Sequence, residues 1–151
     1  MNFVGKAFDE ISTGETFGQT LTIDESHISR SCGMFGDFNP LHSDAVFAAQ
    51  ERFGQRILHG PMTSAAMSAS VGMYFYGTAV GYLEHNCRFL SPVFAGDTLS
   101  VTWVILELIE KPRHDGGIAT MTGRCVNQRG QTVAEAEGKI LLLNREKEAA
   151  K

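Results

Sequence analysis

Between Gly33 and Pro61 the chain gathers a set of residues that could do chemistry. Gly36-Asp37-Phe38-Asn39-Pro40-Leu41-His42 comes first, and a short helical pattern separates it from His59-Gly60-Pro61. Asp37 and His42 stand five residues apart across a backbone that Pro40 must bend. A carboxylate and an imidazole set around one water can take a proton from it and return one, a contribution of about 100- to 10,000-fold in rate. Asn39 brings a donor and an acceptor to fix the loop or the water. Gly60 falls where a helix begins, so its amide has no partner within the helix and lies at the positive end of the dipole. With no side chain it lets a carbonyl approach, and one preorganised donor of this kind is worth about 3–4 kcal/mol in the transition state. Such parts suit attack by water on a carbon conjugated to a carbonyl, with charge building on the carbonyl oxygen. Taken singly, Gly-Asp, Asn-Pro and Ser-Asp are ordinary turn and cap chemistry. Only their combination points to catalysis.

The elements that must position these groups follow from pattern. Residues 17–23 predict a first strand, rich in Thr, Leu and Ile. Thr22-Ile23-Asp24-Glu25 has capping-box spacing. It opens a helix to about Met34 with Ile28, Cys32 and Phe35 along one face, ended by Gly33 and Gly36. Residues 37–42 are expected to be irregular, with Asn39 extended before Pro40 and Leu41 anchored inward. Ser43 or Asp44 caps a helix over residues 45–53, stopped by Gly54. Pro61 suits the first position of the next helix. That helix, 62–76, is apolar or small almost all round and is expected to be buried. Residues 81–94, 98–110, 117–127 and 131–143 then read as long strands joined by short turns, an antiparallel meander. The expected fold is α+β: one antiparallel sheet curling around one helix. One domain over 1–151 is expected, with 144–151 a fraying tail.

Composition narrows the partners. The formal charge of -4, with dispersed Lys and Arg, argues against a nucleic-acid or membrane surface. Residues 61–76 are too short and too polar to span a bilayer. The N-terminus lacks the basic flank and apolar block of a signal peptide. Three widely spaced cysteines, Cys32, Cys87 and Cys125, form neither a zinc pattern nor a disulfide framework, so a reducing cytoplasm is expected. Cys32 and Trp103 read as core. Arg88, Lys111, Arg113 and Arg124 do not cluster as a phosphate cradle would. His27, His85 and His114 have no motif around them.

The block from Gly36 to His42, then Phe47-Ala48, Phe53-Gly54, Ile57-Leu58-His59-Gly60 and the run from Arg88 through Pro92-Val93 and Gly96-Asp97 to Leu99, resembles the MaoC-like (R)-specific enoyl-CoA hydratase/dehydratase family. The resemblance extends over most of the chain. It implies a hot-dog fold, a long central helix wrapped by an antiparallel sheet, usually as a homodimer or higher homo-oligomer. It implies reversible syn addition of water to a trans-2-enoyl-CoA, giving an (R)-3-hydroxyacyl-CoA, with no metal and no redox cofactor. By that likeness Asp37 and His42 hold the water, Asn39 maps to the motif's asparagine, and the Gly60 amide binds the thioester oxygen. Ser68 falls where some members place a serine that supports the catalytic carboxylate. Pro61, Met62, Met73 and Tyr74 along the same helix are the candidate substrate-binding residues. Two departures bear on acyl specificity: Phe35 stands where a small hydroxyl residue is more common, and Pro61 where a larger apolar residue is. Rival expectations on the same fold are acyl-CoA thioester hydrolysis, dehydration of an acyl-carrier-protein thioester, and a non-catalytic acyl-CoA-binding subunit. A carrier-protein partner would favour a basic patch, and a mere sensor would not need both Asp37 and His42.

Overall fold

The computed structural model describes residues 4–145. Its sheet has five antiparallel strands: β1 (Thr16–Thr22), β2 (Ala79–Phe89), β3 (Thr98–Lys111), β4 (Gly116–Val126) and β5 (Thr132–Leu143). Their spatial order is β1-β3-β4-β5-β2. The last three strands in sequence form a meander, as expected. The strand before them does not continue it, because β2 crosses over to pair with β5, and β1 takes the place beside β3. Registers such as Phe17↔Trp103, Trp103↔Gly123, Gly123↔Ala136 and Ala136↔Cys87 run one row of residues across the whole sheet. Alternation along β4 and β5 sends Ala119, Met121, Cys125, Val133, Ile140 and Leu142 inward, as period-two patterning requires.

Four helices, α1 (Glu25–Phe35), α2 (Pro40–Ser43), α3 (Ala45–Gln50) and α4 (Gly60–Tyr74), lie between β1 and β2. α4 is the long central one. Met67 and Val71 are fully buried in the same cluster as Trp103, Ile105 and Met121. The buried Trp103 indole donates at 3.1 Å to both the Met67 carbonyl and the Ser70 hydroxyl, so the helix backbone is tied to the sheet by a satisfied polar contact. The helix is not buried all round within one chain. Pro61, Ala65, Ala69, Gly72 and Met73 remain exposed, a stripe of mostly small side chains opposite the core face. Its sequence shows little polarity because neither face is rich in charge.

Several local expectations shift by a residue or a turn. The cap of α1 is Asp24, whose Oδ1 accepts from the Ser26 and His27 amides, while the Asp24 amide donates to His27 Nδ1. A carboxylate two residues closer to the helix replaces the expected Thr22 hydroxyl. Gly33 is inside the helix, and Gly36 alone ends it at φ 67°, a left-handed position that favours glycine. The segment expected to be irregular contains α2, a single turn, because Asn39 accepts the Leu41 amide at 3.1 Å and starts a helix at Pro40. Asp44, not Ser43, caps α3, which stops at Gln50 rather than near Phe53. The fray expected from 144 does not include residues 144 and 145: the Asn144 amide donates to the Asp115 carbonyl, the Arg145 amide donates to Asp9, and the Arg145 guanidinium pairs with Glu10. Residues 146–151 lie outside the described part. Among the described residues no helix is long and apolar enough to cross a membrane.

Candidate active site

Gly36 turns the chain out of α1 and points Asp37 across to α2. The Asp37 carboxylate is divided between two tasks. Oδ1 accepts the Asn39 amide at 3.1 Å, which fixes the carboxylate on its own loop. Oδ2 is left facing two imidazoles, at 3.7 Å from His42 Nε2 and 3.9 Å from His59 Nε2. His42 sits on α2, and its Nδ1 donates to the Ile57 carbonyl at 2.8 Å. That bond places a proton on Nδ1, so in the neutral ring Nε2 is the lone pair, facing Asp37. Arg56 steadies this arrangement from outside, donating to the His42 carbonyl at 3.3 Å and pairing with Glu25 of α1. The Asp37 side chain is half exposed and that of His42 is 13% exposed, so the carboxylate stands at the surface with the imidazole just beneath it.

His59 is the group that the motif arithmetic passed over. It is 1% exposed, stacks on His42 with ring centroids 3.7 Å apart, and donates from Nε2 to the Asp37 carbonyl at 2.9 Å. The residue after it is Gly60, the first residue of α4. The loop acid, the α2 imidazole and the start of α4 therefore meet at one place. Phe89, at the end of β2, covers Gly60 closely: a Cβ added there would come within 3.0 Å of the Phe89 ring. Among the described residues the Gly60 amide donates to no acceptor, which is the state a carbonyl-binding amide requires.

A family model described as a MaoC like domain matches residues 9–123. The chain belongs to that family. It is 35% identical over 106 residues to an (R)-specific enoyl-CoA hydratase of Aeromonas caviae, covering 70% of this chain and 76% of that one. It is 33% identical over 106 residues to a 3-hydroxybutyryl-CoA dehydratase of Methylorubrum extorquens, covering 70% and 68%. The solved unliganded R-hydratase of Pseudomonas aeruginosa superposes with a TM-score of 0.81 at 31% identity, covering 96% of this chain and 92% of that one. The architecture is the hot-dog fold that the resemblance implied.

In this MaoC-like chain the remaining candidates are not all drawn to one point. Asn39 is at the site, as a cap that also holds the carboxylate through its amide. Pro61 and Met62 follow Gly60 in the first turn of α4, the former exposed and the latter packed on the core. Ser68 donates to the Ala65 carbonyl of its own helix at 3.1 Å, and no described hydrogen bond carries it to Asp37. Met73 and Tyr74 are at the far end of α4, about 20 Å along the axis from Gly60 at 1.5 Å per residue. Tyr74 stacks on Phe17 with centroids 4.1 Å apart and donates to Glu15, so there it packs the base of the fold. Asp37, His42 and His59 offer ligand-type atoms within 4.8 Å of one another. His59 Nε2 is engaged as a donor to the Asp37 carbonyl, however, which leaves two of the three free to accept.

Proposed function

We propose that the protein hydrates trans-2-enoyl-CoA thioesters to (R)-3-hydroxyacyl-CoA, and dehydrates them in reverse. The observation that carries this is the 3.7 Å gap between Asp37 Oδ2 and His42 Nε2. Both atoms are acceptors when Nδ1 of His42 donates to Ile57. Two acceptors have no proton to share with each other, but a water beside both has one proton for each. With both its hydrogens so directed, the water presents a lone pair outward to the substrate. Its oxygen bonds to C3 of the enoyl group as one of its protons passes to a member of the pair, and that member then returns the proton to C2, so that H and OH add across the double bond. The π electrons move toward the thioester oxygen during attack, where the Gly60 amide stabilises the developing charge at the start of α4. Hydration transfers no electrons, so this chemistry needs no redox carrier.

Kinship to relatives named as an (R)-specific enoyl-CoA hydratase and a 3-hydroxybutyryl-CoA dehydratase supports the reaction class and the CoA thioester. The active form is a homodimer. β2 is an edge strand that carries exposed Val80, Leu83 and Phe89, with exposed Leu90 just beyond it. A long apolar edge left open would invite uncontrolled pairing. A second copy covers it.

The test is to mix purified protein with a short trans-2-enoyl-CoA and follow loss of the conjugated thioester absorbance. An (R)-3-hydroxyacyl-CoA product supports the proposal. Release of free thiol would instead show hydrolysis at the carbonyl carbon.

A further inference from the structure

We propose that His59 is a positioning residue, the strut that sets the distance between the water-holding pair and the carbonyl-holding amide. The inference rests on the hydratase function above and extends it to a side chain that touches no substrate. His59 is 1% exposed, so it has no access to a ligand from solvent. Three contacts define it. Its Nε2 donates to the backbone carbonyl of Asp37 at 2.9 Å. Its ring lies against that of His42, 3.7 Å between centroids and 23° between planes. Phe35 meets it edge-on at 5.7 Å. The carbonyl can only accept, so Nε2 carries the proton and Nδ1 is a lone pair.

That Nδ1 lone pair is buried and has no partner among the described residues. Leaving a buried polar atom unsatisfied is costly, and a purely structural position would be better filled by an apolar ring. The imidazole is therefore present for what Nε2 and the ring face do. One flat side chain fixes the backbone of Asp37 and the plane of His42, and it is joined covalently to Gly60. No other described side chain both hydrogen-bonds to Asp37 and stacks on His42. Loss of the bond frees the Asp37 loop to drift relative to α4, and a shift of about 1 Å in a reacting geometry costs about a hundredfold in rate.

The experiment compares wild type with His59→Phe, which keeps a stacking ring and removes the donor, and with His59→Gln, which keeps an amide donor and removes the ring. Turnover on a short trans-2-enoyl-CoA is measured with thermal unfolding and with the imidazole ¹⁵N signals of His42. His59→Phe is expected to lose about 10- to 100-fold in kcat with KM within about twofold, and to lose the single Nδ1–H form of His42. His59→Gln is expected to recover part of the kcat. Wild-type kcat and an unchanged His42 spectrum in folded His59→Phe would overturn the proposal. Should that variant fail to fold, His59→Gln decides alone: reduced kcat with an altered His42 spectrum supports a strut, and wild-type values for both sink it. An inactive wild type removes the hydratase reaction, not the strut, which then stands or falls on the His42 spectrum.

Discussion

At the scale of single residues the site is a matter of which lone pairs are spoken for. Asp37 Oδ1 is occupied by the Asn39 amide and His42 Nδ1 by the Ile57 carbonyl, so only Oδ2 and Nε2 are left to act. Asn39 serves twice, through its amide to Asp37 and through its side chain to the Leu41 amide. Asn39→Ala therefore removes the cap of α2 while keeping the amide bond. Loss of about 1 kcal/mol of stability is expected in denaturant unfolding, with a lower kcat because His42 rides on that turn. Gly60→Pro removes the amide proton where the preceding His59 already has the extended backbone, at φ -62° and ψ 136°, that a proline demands. The exposed Phe89 ring must swing outward to admit the new ring; a drop of about 100- to 1000-fold in kcat is expected, with the circular dichroism of a folded protein. A wild-type kcat in this variant would place the carbonyl elsewhere.

At the scale of elements the turn before β3 shows how a motif can be structural. Asp97 is buried at 3% exposure. Its Oδ1 accepts from Gln128 and Arg129, and its Oδ2 from the Phe94 amide. Burial alone would push its carboxyl up, but the hydrogen bonds from Arg129, Gln128 and the Phe94 amide outweigh it and hold the group below the usual carboxylate range. A carboxyl depressed in the folded state binds its proton more readily when unfolded. Its contribution to stability is therefore complete above the ordinary carboxylate pKa and fades as the pH falls toward the folded value. Asp97→Asn is expected to cost about 1–3 kcal/mol at neutral pH, with the gap to wild type narrowing in acid. A gap that stays constant from neutral pH to pH 3 would contradict the role given to the charge. Such a residue looks the same in sequence as the proposed catalytic carboxylate; what separates it from Asp37 is three donors against one.

At the scale of the molecule the open edge of β2 predicts assembly. In size-exclusion chromatography with light scattering the protein should have twice its 16.5 kDa chain mass at micromolar concentration. A monomer under those conditions would contradict the homodimer. Much of this architecture was legible from the chain: strand periods, the central apolar helix and the glycine after α1 all declare themselves locally. The crossing of β2 to β5 was not, because strand order depends on contacts distant in sequence that no local pattern encodes. The site divides in the same way. That Asp37, Asn39, His42 and Gly60 would be brought together could be read from spacing, since each belongs to a loop or a helix start. His59 could not, because its meaning depends on a carbonyl 22 residues away. Its one available signal was a histidine immediately before the glycine that opens α4. Met73 and Tyr74 share a helix with Gly60 but lie at its opposite end, a distance that the helical rise fixes and the sequence already contains.

All of these effects converge on one rate. Turnover of a short trans-2-enoyl-CoA by wild type and by Asp37→Asn, followed as loss of the conjugated thioester absorbance, tests the shared-water mechanism with least interference. The amide keeps the shape and the Oδ1 acceptor but gives up the charge and one acceptor at the gap facing His42. At least a hundredfold lower kcat in the variant is predicted; equal rates in the two proteins would contradict it.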